Sequence, residues 1–249
     1  MNFELSEEQK MIQQSVERFV QENYDLSDRI KISSENPGYS KDYWNSMAEL
    51  GWLGLAFDEE DGGFGGNQID TLVLMEQFGK GLVLEPFLAN IVLAGGAIKR
   101  GASKALKESI IPKLIEGNLQ LTLAYAEEQS RFDIEDVATA AREDAGNFII
   151  NGKKSMVLNA ESADKVVVVT RTSGSQVDIN GISLFLVDLD SEGIERDNFP
   201  TVDGLRASEI TFKDVKVSAE NLIGEKDKGF SILQEVVNDA ILALSAEAV

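Results

Sequence analysis

Apolar positions in the first part of the chain recur at the three- and four-residue spacing of a helix face. Ile12, Val16, Phe19 and Val20 keep to one such face, and Ser6 followed by Gln9 has the spacing of a reciprocal helix N-cap. A polar stretch around Ser33, Ser34, Asn36, Pro37 and Gly38 interrupts the pattern, after which Tyr43, Met47 and Leu50 restore helical spacing up to Gly51. Residues 72–78, 88–94 and 106–115 supply further helical stretches, with Pro86 suited to the first turn of one of them. The pattern predicts an all-α region over residues 1–118.

The texture changes near Leu119. LQLTLAYA, NFIING, KVVVVTR, ISLFLVD and EITF are short runs rich in β-branched or aromatic residues, separated by turn formers such as Asp144-Ala145-Gly146 and Ser173-Gly174-Ser175. Strands at such intervals, with no helices between them, predict an antiparallel β-barrel or sandwich over residues 119–228. A helical face returns only after Gly229, where Phe230, Leu233, Val237 and Ile241 share one side. The expected fold class is therefore α+β: a helical bundle, a β-rich domain and one more helix over residues 229–249. That last helix has no companion after it, so its Leu233, Val237 and Ile241 side is expected to stand exposed unless something covers it.

A length of 249 residues suits two compact units, and 43% hydrophobic with 27% charged residues is the balance of a soluble globular protein. Lys and Arg total 23 against 43 Asp and Glu, a net charge of −20, which repels nucleic acid and anionic membrane surfaces. With no Cys and no His, disulfides, a thiolate nucleophile, a Ser-His triad and the usual zinc sites are excluded. Acid–base chemistry must fall to Asp, Glu, Lys or Tyr. The N-terminal MNFELSEEQK has no basic n-region or apolar h-region, and no apolar run reaches membrane-spanning length, so a cytoplasmic location is the expectation. The glycine-rich EEDGGFGG over residues 59–66 lacks both a preceding strand and the Lys-Ser/Thr of a phosphate loop, and reads as a turn-rich connection.

Three stretches resemble the acyl-CoA dehydrogenase family. SKALKESIIPKLIEGNLQLTLAYAEEQSRFD is similar to that family's passage from a Pro-containing helix end through a Gly turn into the strand approaching the flavin. FIINGKKSMVLNAESADKVVVVTRT resembles its I-N-G-x-K-x-W-I-T-N-G…A-D hairpin, matched at Ile150, Asn151, Gly152, Lys154, Asn159, Ala163 and Asp164. ITFKDVKVSAENLIGEKDKGF resembles its F-x-D-V-x-V-P-x-x-N-x-L-G…G-x-G-F, matched at Phe212, Asp214, Val215, Val217, Asn221, Gly224, Gly229 and Phe230. All three stand in family order, together with LGWLGLAFDEEDGGFGG in the helical half.

The resemblance implies FAD as cofactor and an acyl-CoA substrate oxidised at its α and β carbons, with hydride passing to flavin N5. It also implies an electron-transferring flavoprotein or similar acceptor, a homo- or hetero-oligomer, and a C-terminal helical domain of which residues 229–249 are only the first helix. By the same resemblance Leu123, Ala124, Tyr125, Ala126 and Phe132 line one side of the flavin floor and Met156, Val157 and Leu158 the other, with Phe132 and Arg206 toward the substrate. Arg206 is either that positive charge or a solvated loop residue, and Asp239 either the catalytic base or a solvated helix-face residue. Glu127 lies near the floor in a structural role, and Tyr125 is a packed strand aromatic. The chain departs from the family where the chemistry is done. Ala126, Phe132, Met156 and Leu158 replace hydroxyl-bearing or aromatic residues, which leaves open an enzyme, a non-catalytic partner subunit or a flavoprotein of altered reaction.

Overall fold

In a computed structural model, described over residues 4–249, the chain forms helices α1 (Glu7–Asn23), α2 (Leu26–Ser34), α3 (Lys41–Glu49) and α4 (Gln68–Gly81). A π-helical segment, Leu88–Gly95, runs into α5 (Gly96–Gly101), and α6 (Lys104–Ile115) follows. Strands β1 (Leu121–Ala124), β2 (Ala140–Asp144), β3 (Asn147–Leu158), β4 (Lys165–Arg171), β5 (Ile182–Asp188), β6 (Ile194–Pro200), β7 (Arg206–Val217) and β8 (Leu222–Ile223) come next, then α7 (Phe230–Glu247). The α+β expectation holds.

Helix α1 begins where its cap predicts. The Gln9 amide donates to Ser6 Oγ at 3.1 Å and the Ser6 amide to Gln9 Oε1 at 3.0 Å, while Val16 and Val20 are buried with Ile12 and Phe19 packed beside them. Helix α2 escaped the periodicity because it buries no residue at all; its start is fixed instead by Asp25, whose carboxylate accepts the Ser27 and Asp28 amides. The glycine-rich loop is a turn. Its Gly63, Gly65 and Gly66 amides donate to Asp58, Phe57 and Leu55 carbonyls, so they are not free to cradle a phosphate.

The strands form one sheet in the order β6-β7-β3-β2-β4-β5-β8, with β1 added on β4. Most neighbours are antiparallel as expected, but β1 runs parallel to β4 and β2 touches β4 through one parallel pair, Ala140 and Arg171, making the sheet mixed. Strand β6 carries only polar or half-exposed positions, which is why no apolar run marked it. The sheet curls on itself, since Phe148 on β3 and Phe185 on β5, strands that are not neighbours, stack with centroids 4.6 Å apart. The four valines of β4 explain their own continuity: Val166 and Val168 enter this inner core, while Val167 and Val169 enter a second core shared with the helices.

That second core runs from α1 through the π-helical segment to α7, so sheet and helices are packed together. Asn90, fully buried, stitches the join: its Nδ2 donates to the Leu119 carbonyl and Gln120 Oε1, and its Oδ1 accepts the Leu121 amide at 2.9 Å. Helix α7 corrects the reading of its stripe. It packs on α4 and the π-helical segment through Leu233, Val236, Ala240 and Ala243, so this side is covered within the chain, whereas Ile241, Leu242 and Leu244 face out. The true stripe contains two alanines, too weakly apolar to outvote Val237 and Ile241 in a count of hydrophobic positions.

Candidate functional site

The two segments expected to form the flavin floor lie side by side. The Ser155 amide donates to the Ala126 carbonyl at 2.9 Å, Lys154 Nζ donates to the Tyr125 carbonyl at 3.1 Å, and Thr122 Oγ1 donates to the Leu158 carbonyl at 2.5 Å. Within this pairing the side chains divide. Leu123, Ala124 and Val157 are buried in the two cores, Tyr125, Ala126 and Leu158 are half-buried, and Met156 is 51% exposed. Met156 stands out because β3 slips register between Lys154 and Val157, with Met156 at φ +51°; the bulge turns its side chain off the ladder. Phe132 is 96% exposed in the loop after β1. Burial pushes the Tyr125 hydroxyl above its ordinary range, which agrees with a packed aromatic rather than an acid.

Next to these segments lies an ion pair that sequence reasoning did not foresee, although it gave Glu127 a structural role and matched Lys154 to the hairpin motif. Lys154 Nζ is 2.7 Å from Glu127 Oε1, and both side chains are buried. Glu127 also accepts from the Ala138 and Thr139 amides and Gln129 Nε2. Burial pushes its carboxyl up, but the Lys154 charge and these hydrogen bonds outweigh it and hold the pKa at about 2. Burial in turn draws Lys154 down to about 8, against the pull of Glu127. The pair ties β3 to the segment after β1 and so fixes the two segments relative to each other.

Leu158 has a second role: with Asn159 and Arg206 it lines a cavity of about 350 Å³ between residues 82–89, α4 and the end of α7. Arg206 is not a solvated loop residue. Its side chain is 13% exposed, its Nη2 donates to the Ser33 and Glu35 carbonyls, its Nε lies 3.8 Å from Glu161, and it lies against Gly38, where a Cβ would meet its side chain at 2.9 Å. Glu85 also lines this cavity, 6% exposed, and burial raises its pKa to about 7. No periodicity or motif singles it out.

Asp239 is placed elsewhere. It pairs with Arg100 and accepts from Gln68 Nε2 at 2.5 Å, and it lines a different cavity, of about 390 Å³, among helical-half residues. None of the floor residues shares that cavity, so Asp239 and the hairpin are not brought together. No group of carboxylates suited to a metal ion occurs among the described residues, and none of their helices is long and apolar enough to cross a membrane.

Residues 6–118 match the acyl-CoA dehydrogenase N-terminal domain, and residues 122–215 the acyl-CoA dehydrogenase middle domain. The chain belongs to the acyl-CoA dehydrogenase superfamily. FAD is the cofactor of this superfamily, and the α+β arrangement is its fold. The chain is 30% identical to mitochondrial isovaleryl-CoA dehydrogenase of Pongo abelii over 92% of its own length and 56% of that protein's. It is 28% identical to subunit CarC of the caffeyl-CoA reductase-Etf complex of Acetobacterium woodii, covering 98% and 65% of the two chains. Among solved structures, the FAD complex of PigA superposes with a TM-score of 0.90 at 26% identity, over 99% of this chain and 66% of the other. The chain thus spans between half and two thirds of the length of these relatives.

Proposed function

We propose that this chain supplies the flavin face and the acyl pocket of an FAD-dependent acyl-CoA dehydrogenase, which removes hydrogen from the α and β carbons of an acyl thioester and passes electrons to an electron-transferring flavoprotein. The observation that carries this reading is Leu158. It ends the hairpin strand of the floor and also walls the 350 Å³ cavity, so an acyl chain seated in that cavity starts at the floor.

When bound, FAD accepts the β-hydride at its N5. The residues present fit a largely apolar planar ring: Tyr125, Ala126, Met156 and Leu158 present an apolar surface, and Met156 offers exposed area on the bulge for a ring to cover. No hydroxyl or amide side chain stands at Ala126, Phe132, Met156 or Leu158, so donors to the ring must come from the backbone of these segments. Removal of the α-proton requires a carboxylate at the Leu158 end of the pocket. Asp239 is held by Arg100 and Gln68 on the other cavity, so Asp239 is not the base for an acyl chain seated against Leu158, and no turnover that depends on it is expected of the 249-residue chain.

The test is FAD titration by absorption, then an acyl-CoA assay with an artificial electron acceptor. Bound flavin without turnover is the expected result. Turnover abolished by Asp239→Asn would make Asp239 the base and overturn the assignment. The bare floor also favours a second reading, a non-catalytic partner subunit; protein that stays colourless after mixing with FAD would decide for it.

A further inference from the structure

The cavity walled by Leu158 carries more unpaired polarity than a hydrocarbon pocket needs. Glu85 Oε1 accepts the Ser40 amide at 3.1 Å, but its Oε2 has no hydrogen-bond partner. Asn159 Nδ2 and Arg206 Nε are likewise buried without a hydrogen-bond partner, Arg206 Nε having only the Glu161 carboxylate at 3.8 Å, and both residues line the same cavity. Of the seven such atoms among the described residues, three therefore converge on one space, and Glu85 and Asn159 are each only 6% exposed. A buried polar group without a partner is destabilising, so three around one cavity point to a ligand that pairs with them.

With the Glu85 carboxyl ionised, as it is above about pH 7, the set comprises one acceptor and two donors. An alkyl end satisfies none of them. An ammonium would donate to Glu85 yet offer nothing to Asn159 or Arg206, and it would lie beside the Arg206 charge. A carboxylate would accept from both donors but meet Glu85, Asp203 and Glu247, all of which line the cavity. A neutral group that both donates and accepts answers the whole set. We propose that the cavity selects acyl groups bearing a hydroxyl or primary amide at the end remote from the thioester, which donates to Glu85 and accepts from Asn159 or Arg206. This rests on the reading above that an acyl thioester enters past Leu158.

The test compares ω-hydroxyacyl-CoA thioesters with unsubstituted acyl-CoA thioesters of equal length, by calorimetry on the full chain with FAD present. The hydroxyacyl series is expected to bind about tenfold tighter at its best length, as a pair of hydrogen bonds to a desolvated site provides. Glu85→Met should abolish the preference and Glu85→Gln, which keeps an acceptor, should retain it. Should Glu85→Met fail to fold, Asn159→Leu is expected to reduce the same preference. Equal binding of both series overturns the polar-end selection and leaves the acyl-CoA reading standing. Absence of binding by either series removes the acyl-CoA reading, and this proposal falls with it.

Discussion

Lys154 and Glu127 form a buried ion pair, 2.7 Å between Nζ and Oε1, that joins β3 to the segment following β1. Removing one partner leaves a charge buried and uncompensated, which typically costs about 3–5 kcal/mol. Lys154→Met is therefore expected to destabilise the chain by that order in urea unfolding. The double variant Lys154→Met with Glu127→Leu should recover a large part of the loss, although replacing Glu127 leaves the Ala138 and Thr139 amides without their acceptor. A single variant as stable as the parent would show that the pair is not buried as described.

Stability should fall with rising pH between about 4.5 and about 7. The Glu85 carboxyl has its pKa raised from 4.5 to about 7 by burial, so the folded chain holds a proton that the unfolded chain has released. Its contribution is fully present below the unfolded value and is lost as pH rises through the folded one, a change of about 3 kcal/mol. Glu247, on the same cavity, is raised in the same direction by burial and by Asp203. Glu127 acts in the opposite sense, and its contribution disappears only as pH falls from 4.5 toward 2. Melting temperatures measured at about pH 5 and about pH 8 should differ clearly in the parent and much less in Glu85→Gln. Equal differences in both proteins would remove Glu85 from the account.

What was legible in the sequence follows from what each element buries. The start of helix α1 could be placed because its cap and apolar face are both local signals. Helix α2 and strand β6 could not, since neither presents an apolar face. The two segments could be named together because the family resemblance assigns them to either side of one flavin, and the structure sets them side by side. The energetics were not legible, because Lys154, Glu127, Asn90 and Glu85 are polar residues whose burial is decided by tertiary packing, and no spacing marks a lysine that will lose all contact with water. The same holds for Asp239: its helix was predicted correctly, yet Arg100 and Gln68, which hold it, come from sequence far away.

Gly79 marks the closest approach of α4 to α7. A Cβ there would lie 1.9 Å from the Glu247 carbonyl oxygen, and backbone cannot step aside as a flexible side chain does. Gly79→Ala gains helix propensity in α4 but must push the end of α7 away, with overpacking of this kind costing about 1–3 kcal/mol. The variant should unfold at lower urea concentration and be cut by protease near residues 244–249 at a rate well above the parent. Parent-like resistance at that end would mean that α7 does not dock on α4 through its last turn.

The flavin floor offers the most direct test of where the ring lies. Met156, half-exposed on the bulge at φ +51° and part of neither hydrophobic core, can be replaced by Trp without removing a core side chain, and any strain of that backbone is already present with Met. If the ring stacks against this position, the added aromatic surface should strengthen FAD binding by about 0.5–1.5 kcal/mol, roughly two- to twelvefold in affinity. Leu158→Thr adds a hydroxyl toward the same ring and is worth about as much, but Leu158 also packs against the helical core and walls the acyl cavity, so its gain in flavin affinity comes with some loss of stability. The two changes therefore separate under measurement. Fluorescence titration with FAD should improve for both, while thermal melting without FAD should be lower for Leu158→Thr alone. Unchanged or weaker FAD binding by Met156→Trp, in a protein that melts like the parent, would mean that the hairpin does not face the ring.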